Sequence, residues 1–146
     1  MKDLPHVYTV KVEGNATDNL VSRAENLPAL AVAPPAQFGG PGDQWSPEDL
    51  LMASIANCLI LSFRAIAGAS KLEWDSIECV SEGELDKVER KMQFTKVLSR
   101  VSLSIPSTEN KEKAERLLNR AEETCLISNS LSCESHIECE ITFSDG

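Results

Sequence analysis

Five cysteines are the residues of this chain with the clearest capacity for chemistry, namely Cys58, Cys79, Cys125, Cys133 and Cys139. They form no C-x-x-C pair and the chain has only 2 histidines, so we predict no metal site. A thiolate can attack the O–O bond of a peroxide, and a second thiol can convert the resulting sulfenic acid into a disulfide. In the cytosol such thiols are reduced by default, and a disulfide is more often transient and catalytic than structural.

The sequence around each cysteine separates the five thiols into two groups. Cys79 and Cys139 lie in strand-like segments and are interpreted as small apolar core residues, and Cys133 as an incidental loop thiol. Cys58 lies inside the apolar segment "SPEDLLMASIANCLILSFRAIAG", and Cys125 lies where a helical segment gives way to "LISNSL". Composition leaves both a packing role and a chemical role open for these two thiols.

The segment that contains Cys58 has the signals of a long helix. Ser46 is a good N-cap, Pro47 suits the first helical position, and Asp49 completes a capping box. We predict a helix that runs to about residue 67 and ends with Gly68 as a left-handed cap. Because this helix is apolar on nearly every side, it requires cover that one chain of this size provides only partly. A twofold dimer that packs two such helices together would supply that cover.

The rest of the chain predicts five strands and a second helix. Strands are expected over residues 6–13, within residues 21–32, in the antiparallel pair "LEWDSIECVSEGELD" and "KMQFTKVLSRVSLSIPS", and over "HIECEITF". The second strand of the pair alternates, with one irregularity, through the series Val97, Arg100, Val101, Leu103 and Ile105. Residues 110–124 predict an amphipathic helix. The predicted order is β-β-α-β-β-α-β in a single α+β domain over residues 1–146.

The charge and hydropathy of the chain exclude several classes of partner. Its formal net charge of −9, with scattered lysines and arginines, argues against binding to nucleic acid or anionic membranes. The N-terminus lacks the apolar stretch of a signal peptide. The apolar segment over residues 50–63 is about two-thirds of the length that spans a bilayer, so we predict a buried helix rather than a membrane anchor. These features indicate a cytoplasmic protein.

Two motifs carry a resemblance to a known family. The pattern "W-S-P-E-D-L-L-x-A-x-x-A-x-C" over residues 45–58, followed by "C-L-I-S-N-S-L" over residues 125–131, resembles the osmotically inducible protein C and organic hydroperoxide resistance (OsmC/Ohr) family. The glycine-rich loop at residues 38–40 fits the same family. The resemblance implies antiparallel sheets around a long buried central helix, in an intertwined homodimer with active sites at the interface.

The resemblance also implies a function and a set of site residues. Cys58 is the expected peroxidatic thiol, Cys125 the resolving thiol, and Glu48 a carboxylate that organises the site. The expected substrate is an organic hydroperoxide, reduced in defence against oxidative stress at a site lined by apolar residues such as Leu51, Met52, Ile55 and Phe63. No bound cofactor is implied, and the expected reductant is an external dithiol, of the lipoyl type carried by a lipoylated protein.

The position of Glu48 constrains how it can act on Cys58. Ten residues of helix separate the two by about 15 Å and place them on different faces. They cannot touch within one helix, so a shared site requires Glu48 from the partner subunit. In the alternative interpretation, Glu48 only complements the positive N-terminus of its own helix.

The chain departs from the family pattern at two functional positions. The family places an arginine near the first thiol, whereas the matching region here reads "TDNL". Arg23 is a candidate partner of the thiolate, with Arg64 the weaker candidate, and both are also typical of solvated surface charges. Without a cation, we expect burial to raise the pKa of Cys58 and to make peroxide reduction slow. The second departure is Leu126, where the family usually has proline, so the local turn is expected to differ.

These departures keep two alternative functions open. One is a non-peroxidatic OsmC-like stress or small-molecule-binding protein with retained thiols. The other is a cysteine-rich core with no redox role, in which Cys58 and Cys125 lie too far apart to bond.

Overall fold

A computed structural model describes residues 2–145 of the chain. The chain forms two compact units, of which the first ends at Leu51 and the second begins at Met52. The single domain predicted for residues 1–146 stays a prediction.

The first unit contains a three-stranded antiparallel sheet in the order β1-β2-β3. The strands are β1 (Lys11–Glu13), β2 (Leu20–Arg23) and β3 (Leu30–Val32). The predicted strand over residues 6–13 is therefore much shorter, and the strand predicted within residues 21–32 is two strands. Asn26 lies between these two strands in the left-handed region, at φ 64°, where an asparagine reverses the chain more readily than most residues do. The propensity of this segment for extended structure concealed the reversal.

The second unit contains a three-stranded sheet in the order β4-β5-β6. The strands are β4 (Ser76–Val88), β5 (Lys91–Ile105) and β6 (Glu134–Phe143). The predicted antiparallel pair is confirmed as β4 and β5, whereas β6 runs parallel to β5. Parallel neighbours need a long crossover connection. That connection contains the predicted amphipathic helix, α2 (Lys111–Thr124), followed by a short helix, α3 (Leu126–Asn129).

The long helix α1 (Pro47–Ala69) begins as the sequence predicts. The Ser46 hydroxyl accepts a hydrogen bond from the N–H of Asp49 at 3.1 Å and donates one to the Asp49 carboxylate at 3.0 Å. Pro47 occupies the first helical position, where its missing N–H costs nothing. The predicted N-terminus is therefore confirmed.

The C-terminus of α1 lies beyond the predicted end. Lys71, at φ 56°, takes the left-handed position that the sequence assigned to Gly68. The N–H of Leu72 donates to the carbonyl of Ala67 at 2.9 Å, which is the six-to-one hydrogen bond of a Schellman cap. Leu72 is buried in the core with Ala67. The packing of Leu72 thus favours an end of α1 at Lys71, although Gly68 has the greater conformational freedom for a left-handed cap.

The core of the second unit is built by α1, α2 and the inner face of β5. Its buried members include Leu59, Phe63 and Ala67 of α1, Leu117, Leu118 and Ala121 of α2, and Val101, Leu103 and Ile105 of β5. The half-buried thiols of Cys79 and Cys139 pack against this cluster, in agreement with their predicted role. Both are paired with Val101, one from each side, so about two strand spacings, close to 10 Å, separate their Cα atoms. That separation is too long for a disulfide between them.

The inner face of β5 carries a buried serine among apolar residues. Ser99 has 0% exposure, and its hydroxyl lies 2.7 Å from that of Ser81 on β4. Arg100 lies on the outer face and pairs with Glu82 at 2.9 Å. The prediction that Arg100 belongs to the inward series was wrong, because β5 alternates regularly and the register shifts elsewhere, at Glu84 and Leu85.

Helix α1 is longer than the apolar segment over residues 50–63 on which the sequence prediction was based. With 23 residues, α1 is long and apolar enough to cross a membrane by length and composition, and the helix of a protein core passes the same test. Ile55, Leu59, Phe63 and Ala67, spaced four residues apart, are all buried. The prediction of a buried helix agrees with this stripe, although the argument from a short apolar segment was wrong.

Candidate active site around two cysteines

The fold brings together the two cysteines that the sequence singled out. Cys58 lies near the middle of α1 and is half-buried, and Cys125 lies between α2 and α3 and is fully buried. Their thiols lie close enough for each to shift the pKa of the other, and neither is in a disulfide. The interpretation with no redox role required thiols too far apart to bond, and this proximity argues against it.

The placement of Cys125 follows from the way in which one helix ends and the next begins. Cys125 leaves the helical region, at φ −65° and ψ 108°, and its N–H donates to the Glu122 carbonyl at 3.3 Å. Its own carbonyl accepts the N–H of Asn129 at 2.9 Å, in the first turn of α3. Cys125 is therefore the C-cap of α2 and the N-cap of α3 at once.

Burial and neighbouring polar groups act on the pKa of Cys58 in opposite directions. Burial raises the pKa of this thiol, but hydrogen bonds from the N–H of Ile127, the Cys125 thiol, the Ser62 hydroxyl and the N–H of Leu126 together hold the pKa below its ordinary value. The Ser62 contact measures 4.0 Å between sulfur and oxygen. The expectation that burial without a cation raises the pKa of Cys58 was wrong. Several neutral donors can stabilise a thiolate as an ion pair would.

The Cys125 thiol has the opposite environment. Burial raises its pKa, the hydroxyl and N–H of Ser128 oppose that rise, and the hydrogen bond and charge of Cys58 add to it. The two pKa values are therefore shifted in opposite directions, and a thiolate forms more readily on Cys58 than on Cys125. A thiolate beside a protonated thiol suits a nucleophile and its resolving partner.

The other predicted site residues, Glu48, Arg23 and Arg64, differ in their burial and in their polar contacts. Glu48 lies in the first turn of α1, and its Oε1 atom is buried without a hydrogen-bond partner among residues 2–145. Arg23 is exposed and pairs with Glu13 at 3.4 Å, and Arg64 is also exposed. Within the described chain, no cation is among the groups that shift the pKa of Cys58. The roles predicted for Glu48 and Arg23 stay predictions.

Only two of the four apolar residues that were expected to line the site have exposed surface. Ile55 and Phe63 have 0% exposure, so they belong to the core and do not line an open surface. Leu51 and Met52 are half-buried. The side chain of Leu126, next to Cys125, is 65% exposed and was not predicted to contribute.

The sequence analysis did not predict several of the groups at the site. Ser62 follows Cys58 by four residues, a spacing that places two side chains on one helical face and could have identified it. The N–H groups of Leu126 and Ile127 have no side-chain signature, so only the structure reveals them. Among residues 2–145, no three His, Cys, Asp or Glu side chains cluster to hold a metal ion.

Comparison with known families identifies the class of protein to which this fold belongs. The OsmC-like protein family matches residues 40–140, well over half of the chain, including both cysteines. This chain belongs to the OsmC-like family. The predicted resemblance is therefore confirmed.

Known proteins resemble this OsmC-like protein in sequence or in fold. The uncharacterized protein YmaD of Bacillus subtilis (strain 168) is 25% identical over 130 residues, covering 87% of this chain and 86% of the relative. The structure of an OsmC-like protein of unknown function from Vibrio cholerae has a TM-score of 0.86 at 18% identity, covering 93% of this chain and 100% of that one. An organic hydroperoxide resistance protein OsmC from Legionella pneumophila has a TM-score of 0.75 at 23% identity, with 96% and 99% covered. These likenesses confirm the predicted α+β fold.

Proposed function

We propose that this OsmC-like protein is a thiol-dependent peroxidase that reduces organic hydroperoxides in defence against oxidative stress. The observation that carries the proposal is the proximity of the Cys58 and Cys125 thiols, in surroundings that lower the pKa of the first thiol and raise that of the second. The name of the Legionella relative, an organic hydroperoxide resistance protein, supports the class of substrate.

The proposed reaction has two steps at the protein. The Cys58 thiolate attacks the terminal oxygen of a hydroperoxide, the O–O bond breaks, and the alkoxide takes up a proton and leaves as an alcohol. Cys58 is thereby oxidised to a sulfenic acid. The Cys125 sulfur then attacks the Cys58 sulfur, and the sulfenic hydroxyl leaves with the Cys125 proton as water. The product is a Cys58–Cys125 disulfide. An external dithiol returns both thiols to the reduced state and becomes a disulfide itself.

The partners of the reaction follow the family resemblance. We propose a dithiol of the lipoyl type, free or carried by a lipoylated protein, as the reductant, and no bound cofactor. A cytoplasmic location would keep both cysteines reduced between turnovers. The exposed side chain of Leu126 offers an apolar contact for the alkyl part of a hydroperoxide.

A homodimer remains part of the proposal. Leu61 lies on α1 and is 54% exposed, although the helix is apolar on this side as well. A second copy packed on this face would cover it and would bring in Glu48 of the partner subunit. Sedimentation velocity of the protein and of its Leu61→Asp variant tests this: a dimer that dissociates in the variant supports the proposal, and a monomeric parent protein contradicts it.

The activity is tested by peroxide consumption with dihydrolipoamide as the reductant. Cumene hydroperoxide and tert-butyl hydroperoxide are compared with hydrogen peroxide, using the unmodified protein, Cys58→Ser and Cys125→Ser. Cys133→Ser is a matched control, because no described contact joins Cys133 to the pair. We expect turnover of the organic substrates in the parent and the control, and its loss in the other two variants.

The alternative function has its own signature in the same assay. A non-peroxidatic OsmC-like stress or small-molecule-binding protein would show no turnover, and Cys58 would stay reduced in excess hydroperoxide. The absence of a cation among the described groups that act on Cys58 favours this alternative. Mass spectrometry of the cysteine peptides after peroxide treatment distinguishes the two functions.

A further inference from the structure

A buried carboxyl group and a buried hydroxyl group flank Cys125 in the chain. Glu122 lies in the last turn of α2, and its Oε1 atom accepts a hydrogen bond from the Ser135 hydroxyl of β6 at 2.6 Å. Its Oε2 atom is buried and has no hydrogen-bond partner among residues 2–145. The Ser128 hydroxyl is likewise buried without a partner in the described chain, and Ser128 is only 7% exposed. Neither side chain has a part in the reaction proposed above.

The backbone places Glu122 and Cys125 on one face of the last turn of α2. The N–H of Cys125 donates to the Glu122 carbonyl at 3.3 Å. The φ of Cys125, −65°, is still helical, so its β-carbon keeps a helical position although its ψ leaves the helical region. Side chains three residues apart share a helical face, with β-carbons about 5–6 Å apart. The carboxyl group of Glu122 and the thiol of Cys125 therefore start from neighbouring positions.

Electrostatic effects agree with this placement. Burial raises the pKa of Cys79 on β4, and the charges of Glu122 and Cys125 add to that rise, so both groups lie near this strand. The Ser128 hydroxyl lies near enough to Cys125 to oppose the rise in the pKa of its thiol. A carboxyl, a hydroxyl and a thiol group, each of which can give up and accept a proton, are thus gathered at the end of α2.

The burial of Cys125 means that its proton needs a carrier. Cys125 is 0% exposed, so its thiol does not exchange a proton directly with bulk water. In the proposed reaction this proton leaves as the sulfur attacks Cys58, and a proton returns when the disulfide is reduced. Glu122 suits this task, because Ser135 anchors one carboxyl oxygen and the other has no partner in the described chain. Glu122 is also only half-buried, which leaves part of the residue open to solvent.

We propose that the carboxyl group of Glu122 carries the proton of Cys125 when the Cys58–Cys125 disulfide forms and when it is reduced. The inference rests on the proposed function, since it concerns the resolving thiol. As the Cys125 sulfur attacks the Cys58 sulfur, its proton passes to the Glu122 carboxylate. The carboxyl group then gives this proton to the hydroxide that leaves Cys58, which departs as water. Positioned acids and bases typically accelerate a reaction by about 10²- to 10⁴-fold.

The reduction step uses the same carrier in the opposite direction. Because Cys125 is fully buried and Cys58 is half-buried, a dithiol attacks the Cys58 sulfur, and Cys125 is the leaving group. A thiol with a raised pKa is a slow leaving group unless it receives a proton. The Glu122 carboxyl group gives that proton to the Cys125 sulfur as the S–S bond breaks. The proton that the attacking thiol has released then restores the carboxyl group.

The experiment follows reduction of the disulfide without any peroxide. The Cys58–Cys125 disulfide is formed with diamide, and its reduction by dithiothreitol at pH 7 is measured by acid quenching, alkylation and peptide mass spectrometry. Glu122→Gln keeps an oxygen for the Ser135 hydroxyl but cannot carry a proton. Ser135→Ala removes the same hydrogen bond and leaves the carboxyl group in place. Glu123→Gln is the matched control, because it removes an equal charge from an exposed neighbour.

We expect Glu122→Gln to slow the reduction by at least about 10-fold. Ser135→Ala should slow it much less, and Glu123→Gln should behave like the parent. Glu122→Asp keeps a carboxyl group that is one methylene shorter, and its rate should lie between those of the parent and Glu122→Gln. A parental rate in Glu122→Gln, or an equal loss in Ser135→Ala, would overturn the proposal by showing that Glu122 has only a structural role.

Two further outcomes keep this inference separate from the proposed function. If Glu122→Gln does not fold, Glu122→Asp takes its place, and a parental rate in that variant would contradict the proton carrier. Failure of diamide to form the Cys58–Cys125 disulfide in the parent would also overturn the inference, since no proton would then leave Cys125. A parent protein that consumes no hydroperoxide but shows the expected order of rates would contradict the peroxidase function alone.

Discussion

The Cys58 thiol in α1 and the Cys125 thiol between α2 and α3 lie close enough to shift each other's pKa, although the two residues are far apart in the sequence. Burial is the largest effect on both thiols and raises both pKa values. The groups near Cys58 outweigh that effect and lower its pKa, whereas Cys58 itself adds to the rise at Cys125. The two thiols therefore differ in how readily each becomes a thiolate, with no cation among the described groups that act on Cys58.

Blocking the second step should trap the product of the first. In Cys125→Ser, one equivalent of cumene hydroperoxide is expected to leave a sulfenic acid on Cys58, because no neighbouring thiol can condense with it. Dimedone labelling with peptide mass spectrometry measures this species. The parent protein should instead form the disulfide, and Cys139→Ser should behave like the parent. Dimedone labelling of Cys58 at the same low level in Cys125→Ser and in the parent would argue against Cys125 as the resolving thiol.

Two cysteines should differ widely in the pH at which they react. The pKa of Cys58 is held below its ordinary value, whereas burial, with the charge of Glu115 and the thiol of Cys79, raises the pKa of Cys139 to about 11. A thiol reacts as its thiolate, so a lower pKa allows alkylation at lower pH. At pH 7.5 iodoacetamide is expected to modify Cys58 well before Cys139. The order should disappear in 6 M guanidinium chloride, where the pKa of both thiols returns to about 8.5. A difference in reactivity that persists there would show that the local sequence, and not the fold, causes it.

The buried serine pair should be coupled in stability. Ser99→Ala removes the nearer partner of the Ser81 hydroxyl and leaves it the Cys79 sulfur at 3.8 Å, so we expect a loss of about 1–2 kcal/mol in the free energy of unfolding. Ser81→Ala should cost a similar amount, since it leaves Ser99 without its partner. The double variant should lose less than the sum of the two, because no unpaired hydroxyl remains. Urea denaturation of the four proteins measures the coupling, and strictly additive losses would show that the two hydroxyls act independently.

The turn between β4 and β5 should be open to stabilisation. Glu89 and Arg90 both have positive φ, at 50° and 72°, as the two central residues of a type I′ hairpin require. Glycine adopts this conformation without strain, so Arg90→Gly is expected to stabilise the fold by about 0.5–1 kcal/mol. Arg90→Ala keeps a β-carbon and serves as the control. Thermal unfolding should place the glycine variant above both the parent and the alanine variant, and the reverse order would contradict this account of the turn.

The start of α1 is determined by residues that are close together in the sequence. Ser46, Pro47 and Asp49 act within one turn of helix, so the capping pattern could be predicted from their spacing alone. The end of α1 depends on where Leu72 packs, which is a tertiary contact, and the sequence therefore misplaced it. The parallel pairing of β6 with β5 was hidden for the same reason, because residue types in β6 do not encode the direction of its neighbour.

By itself, the sequence determined the family, the α+β class, the start of the central helix and the choice of Cys58 and Cys125 from five cysteines. These follow from motifs and periodicities that act over a few residues. Only the tertiary structure decided that the two thiols lie close together and in which direction the pKa of each is shifted. The burial and the neighbours of a thiol come from segments far apart in the sequence, so neither follows from a local motif.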